Sequence, residues 1–102
     1  MIAISATGKK TRDLMDIRFA RCPHFVLIDD QDTVTVDNPY FEEESDVATR
    51  VINWLHQLGV KKVITGEVGP KAQNLLQEKK IQIVLMDAEK ISIQSLRKKL
   101  DI

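Results

Sequence analysis

The sequence has one cysteine, Cys22, and two histidines, His24 and His56. It contains no Cys-x-x-Cys and no His-Glu-x-x-His, so no four-ligand zinc site can close from its own soft ligands. A lone thiol forms no internal disulfide, the usage expected of a cytoplasmic protein. Neither sign of charge prevails: 15 basic residues meet 15 acidic ones, which excludes a nucleic-acid binder that works through bulk positive charge. No apolar run approaches the ~20 residues that cross a bilayer, so no membrane partner is expected. The opening MIAISATGKK lacks the basic start and long apolar core of a secretory signal. Internal repeats and low-complexity segments are absent as well.

What is present is a chain of 102 residues, 43% of them hydrophobic. That is enough for one domain, residues 1–102, with a core that folds unaided. Met1–Ser5 reads as a short strand with Ile2 and Ile4 on one face, and Ala6–Asp16 as a polar loop. Pro23–Asp29 reads as a strand buried on both faces, since Phe25 to Ile28 are all apolar. Asp29–Asp32 makes a turn into Thr33–Val36, and so short a link implies an antiparallel hairpin. Asp37-Asn38-Pro39 ends it. Glu42, Glu43, Glu44 and Asp46 crowd the start of a long helix, where negative charge suits the dipole. Its inner face is Val47, Val51, Trp54, Leu55 and Leu58, and Gly59 stops it. His56 falls on the solvent side. Val60–Thr65 is a strand, Gly66–Pro70 a tight turn, and Ala72, Leu75 and Leu76 the apolar face of a second helix ending near Lys79-Lys80. Ile81–Met86 is the last strand. Ser92 caps a final helix with Ile93, Leu96 and Leu100 inward. The order is β, ββ, α, β, α, β, α: an α/β chain whose later half implies parallel strands.

The chemistry concentrates between Asp16 and Asp29. Arg18 and Arg21 bracket Phe19 and Ala20, and two guanidinium forks beside an aromatic can grip an anion. The plainer alternative is a solvated pair bonded to Asp16 or Asp29. Cys22 and His24 stand two residues apart, which on an extended segment points them to one face. A thiolate and an imidazole suit iron, copper or zinc, and two ligands can dock a preassembled cluster. Equally, a free cysteine is often a small buried hydrophobe, and His24 can take an aromatic's place. Met15 is either a soft thioether donor or a cover for the core edge. Trp54 is expected in the core.

Phe19-Ala20-Arg21 and Pro23-His24-Phe25, followed by Asp29, resemble the nitrogenase iron–molybdenum cofactor biosynthesis family, whose usual pattern is H-F-G-R-A-x-x-F, apolar residues and an acid. The likeness extends to the first strand, the acidic approach to the long helix, the turn from Gly66 to Gly69 and the capped last helix. It implies an RNase H-like three-layer fold with a five-stranded mixed sheet in order 3-2-1-4-5, strand 2 antiparallel, and three helices. It also implies non-catalytic binding of an iron–sulfur or molybdenum–iron–sulfur cluster, with cluster donor and acceptor proteins as partners. Two departures stand out. Arg18 occupies the place where the family often has a histidine ligand, and Ala20 replaces a glycine.

In that sheet order the loops after strands 1 and 4 flank a topological switch point, the usual ligand crevice of an open α/β sheet. Ser5–Gly8, including Thr7 and Gly8, and Thr65–Gly69, including Gly66 and Gly69, would line it. The helix that starts at Pro70 would favour an anion there; alternatively these glycines only permit tight turns. The expected cofactor-binding set is therefore Thr7, Gly8, Arg18, Phe19, Arg21, Gly66 and Gly69, with Cys22 and His24 as metal-ligand candidates. A nuclease of this fold needs an acid on its first strand, and MIAIS has none. Ser5 and Thr7 lack evident His/Asp partners. Two functions remain: a small cluster carrier, or an interaction module that keeps the fold without a cluster.

Overall fold

In the computed structural model, which describes residues 1–87 and 90–102, side-chain alternation along the strands sets the layers. The strands are β1 (Ile2–Ala6), β2 (His24–Ile28), β3 (Thr33–Asp37), β4 (Lys62–Thr65) and β5 (Gln82–Leu85). They form one sheet in order β3-β2-β1-β4-β5. β2 runs antiparallel to β1 and β3, whereas β4 is parallel to β1 and β5. This is the mixed sheet and strand order expected. Helices α1 (Val47–Gln57) and α2 (Pro70–Glu78) cover one face and α3 (Ile93–Leu100) the other.

Successive strand residues point to opposite faces, so the sheet feeds two cores. Ala3, Phe25, Leu27 and Val63 meet Val51, Ile52, Leu55 and Leu76 of α1 and α2. Ile4, Val26, Ile28 and Ile64 meet Ile93 and Leu96 of α3. Each fully buried Leu or Ile contributes about 1.5–3 kcal/mol. Because both faces are covered, β1, β2 and β4 read as nearly unbroken apolar runs.

Helix α1 differs from its sequence reading in three ways. It starts at Val47 and has no acid in its first turn, because Asp46 takes a left-handed conformation at φ 56°, which aspartate tolerates. The acids from Glu42 to Glu44 sit instead in the preceding loop, where the Glu43 N–H donates to the Tyr40 carbonyl at 3.0 Å. Ile52 takes an inner position, while Leu58 lies past the helix end and is exposed. Trp54 is half-buried at the edge of the layer, 6.0 Å from Phe25 and 6.4 Å from Tyr40 between ring centres. His56 is exposed, and Gly59 ends the helix at φ 93°, as the sequence suggested. In the β2–β3 turn the Asp29 carboxylate accepts N–H bonds from Gln31 and Asp32, which hold it below the usual carboxylate range.

The start of α3 is fully occupied by the chain itself. The Ile93 N–H donates to the Asp13 carbonyl at 2.8 Å, that of Gln94 to Thr11 at 2.9 Å, and that of Ser95 to Ser92 Oγ at 3.1 Å. The loop from Thr7 to Leu14 thus works as a tongue docked on α3. Loss of such a cap costs about 1 kcal/mol. Ser92→Ala is expected to lower stability by about that much in urea titration, with an unchanged m-value.

Candidate functional site

The expected crevice between the carboxyl ends of β1 and β4 is filled by the chain. Met15–Arg18 passes over it: the Asp16 N–H donates to the Ser5 carbonyl at 2.9 Å, and the Glu67 N–H to the Ile17 carbonyl at 2.8 Å. Beneath it, Ser5 Oγ donates to the Asp16 carbonyl at 2.6 Å, and Thr65 Oγ1 lies 2.7 Å from Ser5 Oγ. Ser5, Thr65 and Asp16 are all buried polar residues, and each is satisfied by another. Gly66 permits the crossing, since a Cβ there would stand 2.6 Å from the Cα of Ile17.

The opening has therefore moved outward, to a cavity of about 510 Å³ between the Arg18–Arg21 loop and the segment from Glu67 to Ala72. Phe19, Ala20, Ala48, Val68, Pro70 and Ala72 give apolar walls, and Arg18, Arg21, Lys71 and Glu67 give charge. The first turns of α1 (through Ala48) and α2 (through Pro70 to Ala72) both reach the cavity. Neither carries a side-chain cap, so their early N–H groups remain available. Helix α3, whose N-terminus is consumed by the tongue, lies on the opposite face of the sheet.

The cations differ in freedom. The Asp16 carboxylate accepts Arg18 Nε at 3.1 Å and a terminal nitrogen at 3.0 Å. That hydrogen bonding and the adjacent negative charge raise the Arg18 pKa further. Arg21 donates to the Glu43 carbonyl at 2.6 Å, a neutral acceptor that leaves its charge uncancelled. Among the described residues, neither Arg21 nor Lys71 has a carboxylate at ion-pair distance.

Of the residues expected from sequence, Arg18, Phe19, Arg21 and Gly69 share this cavity. Gly66 lies beneath the crossing chain. Thr7 and Gly8 are not in the lining: Thr7 bonds Leu14, and Gly8 abuts Asp13 within the tongue. The structure also separates Cys22 from His24. Strand β2 begins only at His24, so the one-face argument does not extend back to Cys22. Asn38 Nδ2 instead gathers the Ala20 and Cys22 carbonyls at 3.0 and 2.8 Å. The Cys22 thiol is buried in the α1/α2 core and donates to the Phe19 carbonyl at 3.2 Å. His24 alternates with Phe25 and so falls on the α3 face, with Nδ1 3.1 Å from an Asp37 oxygen but out of line for a hydrogen bond. Burial, reinforced by the Asp16 charge, pushes the Cys22 thiol up to about 12. Among the described residues no three of His, Cys, Asp and Glu gather to hold a metal ion. Met15 is buried in the α3 core.

Glu67 lies within the Thr65–Gly69 segment expected to line the crevice, whereas Lys71 and Ala48 were not foreseen. Lys71 was the more legible, because it follows a proline placed at the first helical position.

These features define a three-layer α/β domain of the RNase H-like class with an open, cation-rimmed cavity at one end of its sheet. The chain belongs to the dinitrogenase iron–molybdenum cofactor family, whose model matches residues 1–100. It is similar to the apo form of the orange protein from Desulfovibrio gigas: 30% identity, TM-score 0.85, covering 98% of this chain and 86% of that one. A Thermotoga protein carrying a provisional NifB name shares the fold at 22% identity and TM-score 0.80, covering 98% and 85%. Comparison with curated proteins gives no match. No helix among the described residues is long and apolar enough to cross a membrane.

Three outcomes follow from this geometry. Gly66→Ala is expected to cost about 1–3 kcal/mol through overpacking against backbone, read as a fall in Tm. Gly69→Ala, which meets no atom within 4 Å, should move Tm far less. Native Cys22 should resist alkylation at about pH 8 and react once unfolded. Its folded pKa is raised from 9.0 to about 12, so the unfolded state sheds its proton first. This contribution to stability is full below about pH 9 and declines as pH rises towards 12, checked by urea titration across that window.

Proposed function

We propose that this protein is a non-catalytic carrier holding an anionic metal–sulfur cluster, iron–sulfur or molybdenum–iron–sulfur, between donor and acceptor proteins of cofactor assembly. The observation that carries this reading is the convergence of two uncapped helix starts, Arg21 and Lys71 on one open cavity. Free N–H groups at helix N-termini favour anions. The walls of Phe19, Ala20, Ala48, Val68 and Ala72 suit a polarisable, weakly hydrated sulfide surface better than a phosphate, which needs a denser ring of donors. The family's name points to the same class of cargo.

The grip would be charge and hydrogen bonding rather than ligation. Cys22 has a buried thiol, and Arg18 stands where a histidine ligand is common in the family. The cluster therefore arrives with its own sulfur ligands complete and keeps them. The Ser5 and Thr65 hydroxyls near the crossing are committed to each other and to the Asp16 carbonyl. A second reading, an interaction module without a ligand, draws on the partial cancellation of Arg18 by Asp16.

Anaerobic incubation with ferrous iron, sulfide and tetrathiomolybdate, followed by gel filtration, separates the two. Retained visible absorbance together with metal and sulfide is the expected result. A hydrogen bond to a charged group contributes about 1.5–3 kcal/mol. Arg21→Ala or Lys71→Ala should therefore weaken retention about tenfold or more, and Cys22→Ser should leave it intact. Protein that emerges without metal and sulfide removes the carrier reading.

A further inference from the structure

The two edges of the sheet are not alike. β3 carries a charge within it: Asp37 is its last residue, and Lys9 reaches that carboxylate at 3.4 Å. β5, Gln82–Leu85, has no charge, proline or bulge within it; of the devices by which edges avoid pairing, it has only its short length of four residues. Its amides alternate in direction. Gln82 N–H donates to the Lys61 carbonyl at 2.8 Å and Met86 N–H to Thr65 at 2.9 Å. The intervening odd-numbered residues, Ile83 and Leu85, therefore present their N–H and C=O groups outward.

The side chains repeat the theme. Leu85 is 57% exposed, the most exposed large hydrophobic residue among those described. It borders a groove of about 300 Å³ with Val68, Gln73, Gln77 and Ile83. That groove wall holds amides and apolar groups but no charge.

We infer that β5 pairs antiparallel with β5 of a second copy of this chain about a two-fold axis at Val84, joining two five-stranded sheets into one. Ile83 of each copy then faces Leu85 of the other as a hydrogen-bonded pair, which covers both exposed leucines and satisfies the outward amides. The ends are self-complementary in charge: the Lys79-Lys80 turn precedes the strand and Asp87 follows it, so the reversed direction brings basic end to acidic end twice. A strand of four residues makes this a weak dimer, with dissociation in the range of about 10 µM to 1 mM. Pairing at this edge requires no ligand in the cavity.

Sedimentation equilibrium of the full chain over that concentration range tests it. The expected result is a mass rising from 11.6 kDa towards twice that value. Leu85→Lys, on an exposed side chain, should hold it at the monomer mass, and Val34→Lys on the β3 edge should not. Val84→Cys should form an inter-copy disulfide on mild oxidation, because the two-fold places residue 84 opposite itself in a non-hydrogen-bonded pair. A monomer throughout, dimerisation unchanged in Leu85→Lys, or loss of the dimer in Val34→Lys each overturns the proposal.

Discussion

Ser5 Oγ, 2.6 Å from the Asp16 carbonyl and 2.7 Å from Thr65 Oγ1, joins three parts of the chain that are far apart in sequence. It sits where β1 and β4 end side by side, at the point where an open α/β sheet offers a crevice. Here the protein spends that crevice on itself. A buried hydroxyl left without a partner costs about 1–3 kcal/mol, so the Asp16 backbone crosses over Ser5 and Thr65 and satisfies both. Once that crossing is made, Ile17 lies on Gly66, Arg18 runs beside Glu67, and the loop to Arg21 is delivered to the starts of α1 and α2. The cavity's position follows from this crossing.

The three helices divide by how their N-termini are used. The start of α3 accepts the chain's own tongue, through the carbonyls of Thr11 and Asp13 and through Ser92 Oγ. Those of α1 and α2 are left without side-chain caps. Asp46 could have served as a cap, but its left-handed backbone turns it away from that role, and Gly69 has no side chain to offer. Sparse capping at two helix starts that share one cavity is a local cost, of a kind that proteins retain where a site requires it.

Much of the fold was legible because the strands are short and their patterns clear. The hairpin at Asp29–Asp32, the stop at Gly59 and the Ser92 cap each rest on local chemistry that nothing distant overrides. The strand order came from a family resemblance rather than from periodicity. The site was legible in part. Arg18, Phe19, Arg21 and Gly69 announced themselves by residue type. Thr7 and Gly8 were misplaced because the tongue's partner, α3, lies eighty residues further on. The one-face argument for Cys22 and His24 assumed extended chain from Cys22 onward, whereas β2 begins only at His24. Glu42 to Asp46 looked like a helix start because charge pattern carries no information about the backbone angle of Asp46.

The wall that bears Arg18 to Arg21 is stitched down along its length: Asp16 to Ser5, Ile17 to Glu67, and Ala20 and Cys22 to Asn38. Such a rim has the stiffness of the core beneath it. On the carrier reading proposed above, guests of differing girth would be accommodated by side-chain reach from Lys71 and by the open mouth, not by a breathing loop. Selectivity of that kind would work as a gauge, admitting by size and charge and tolerating variety in what lies at the guest's centre.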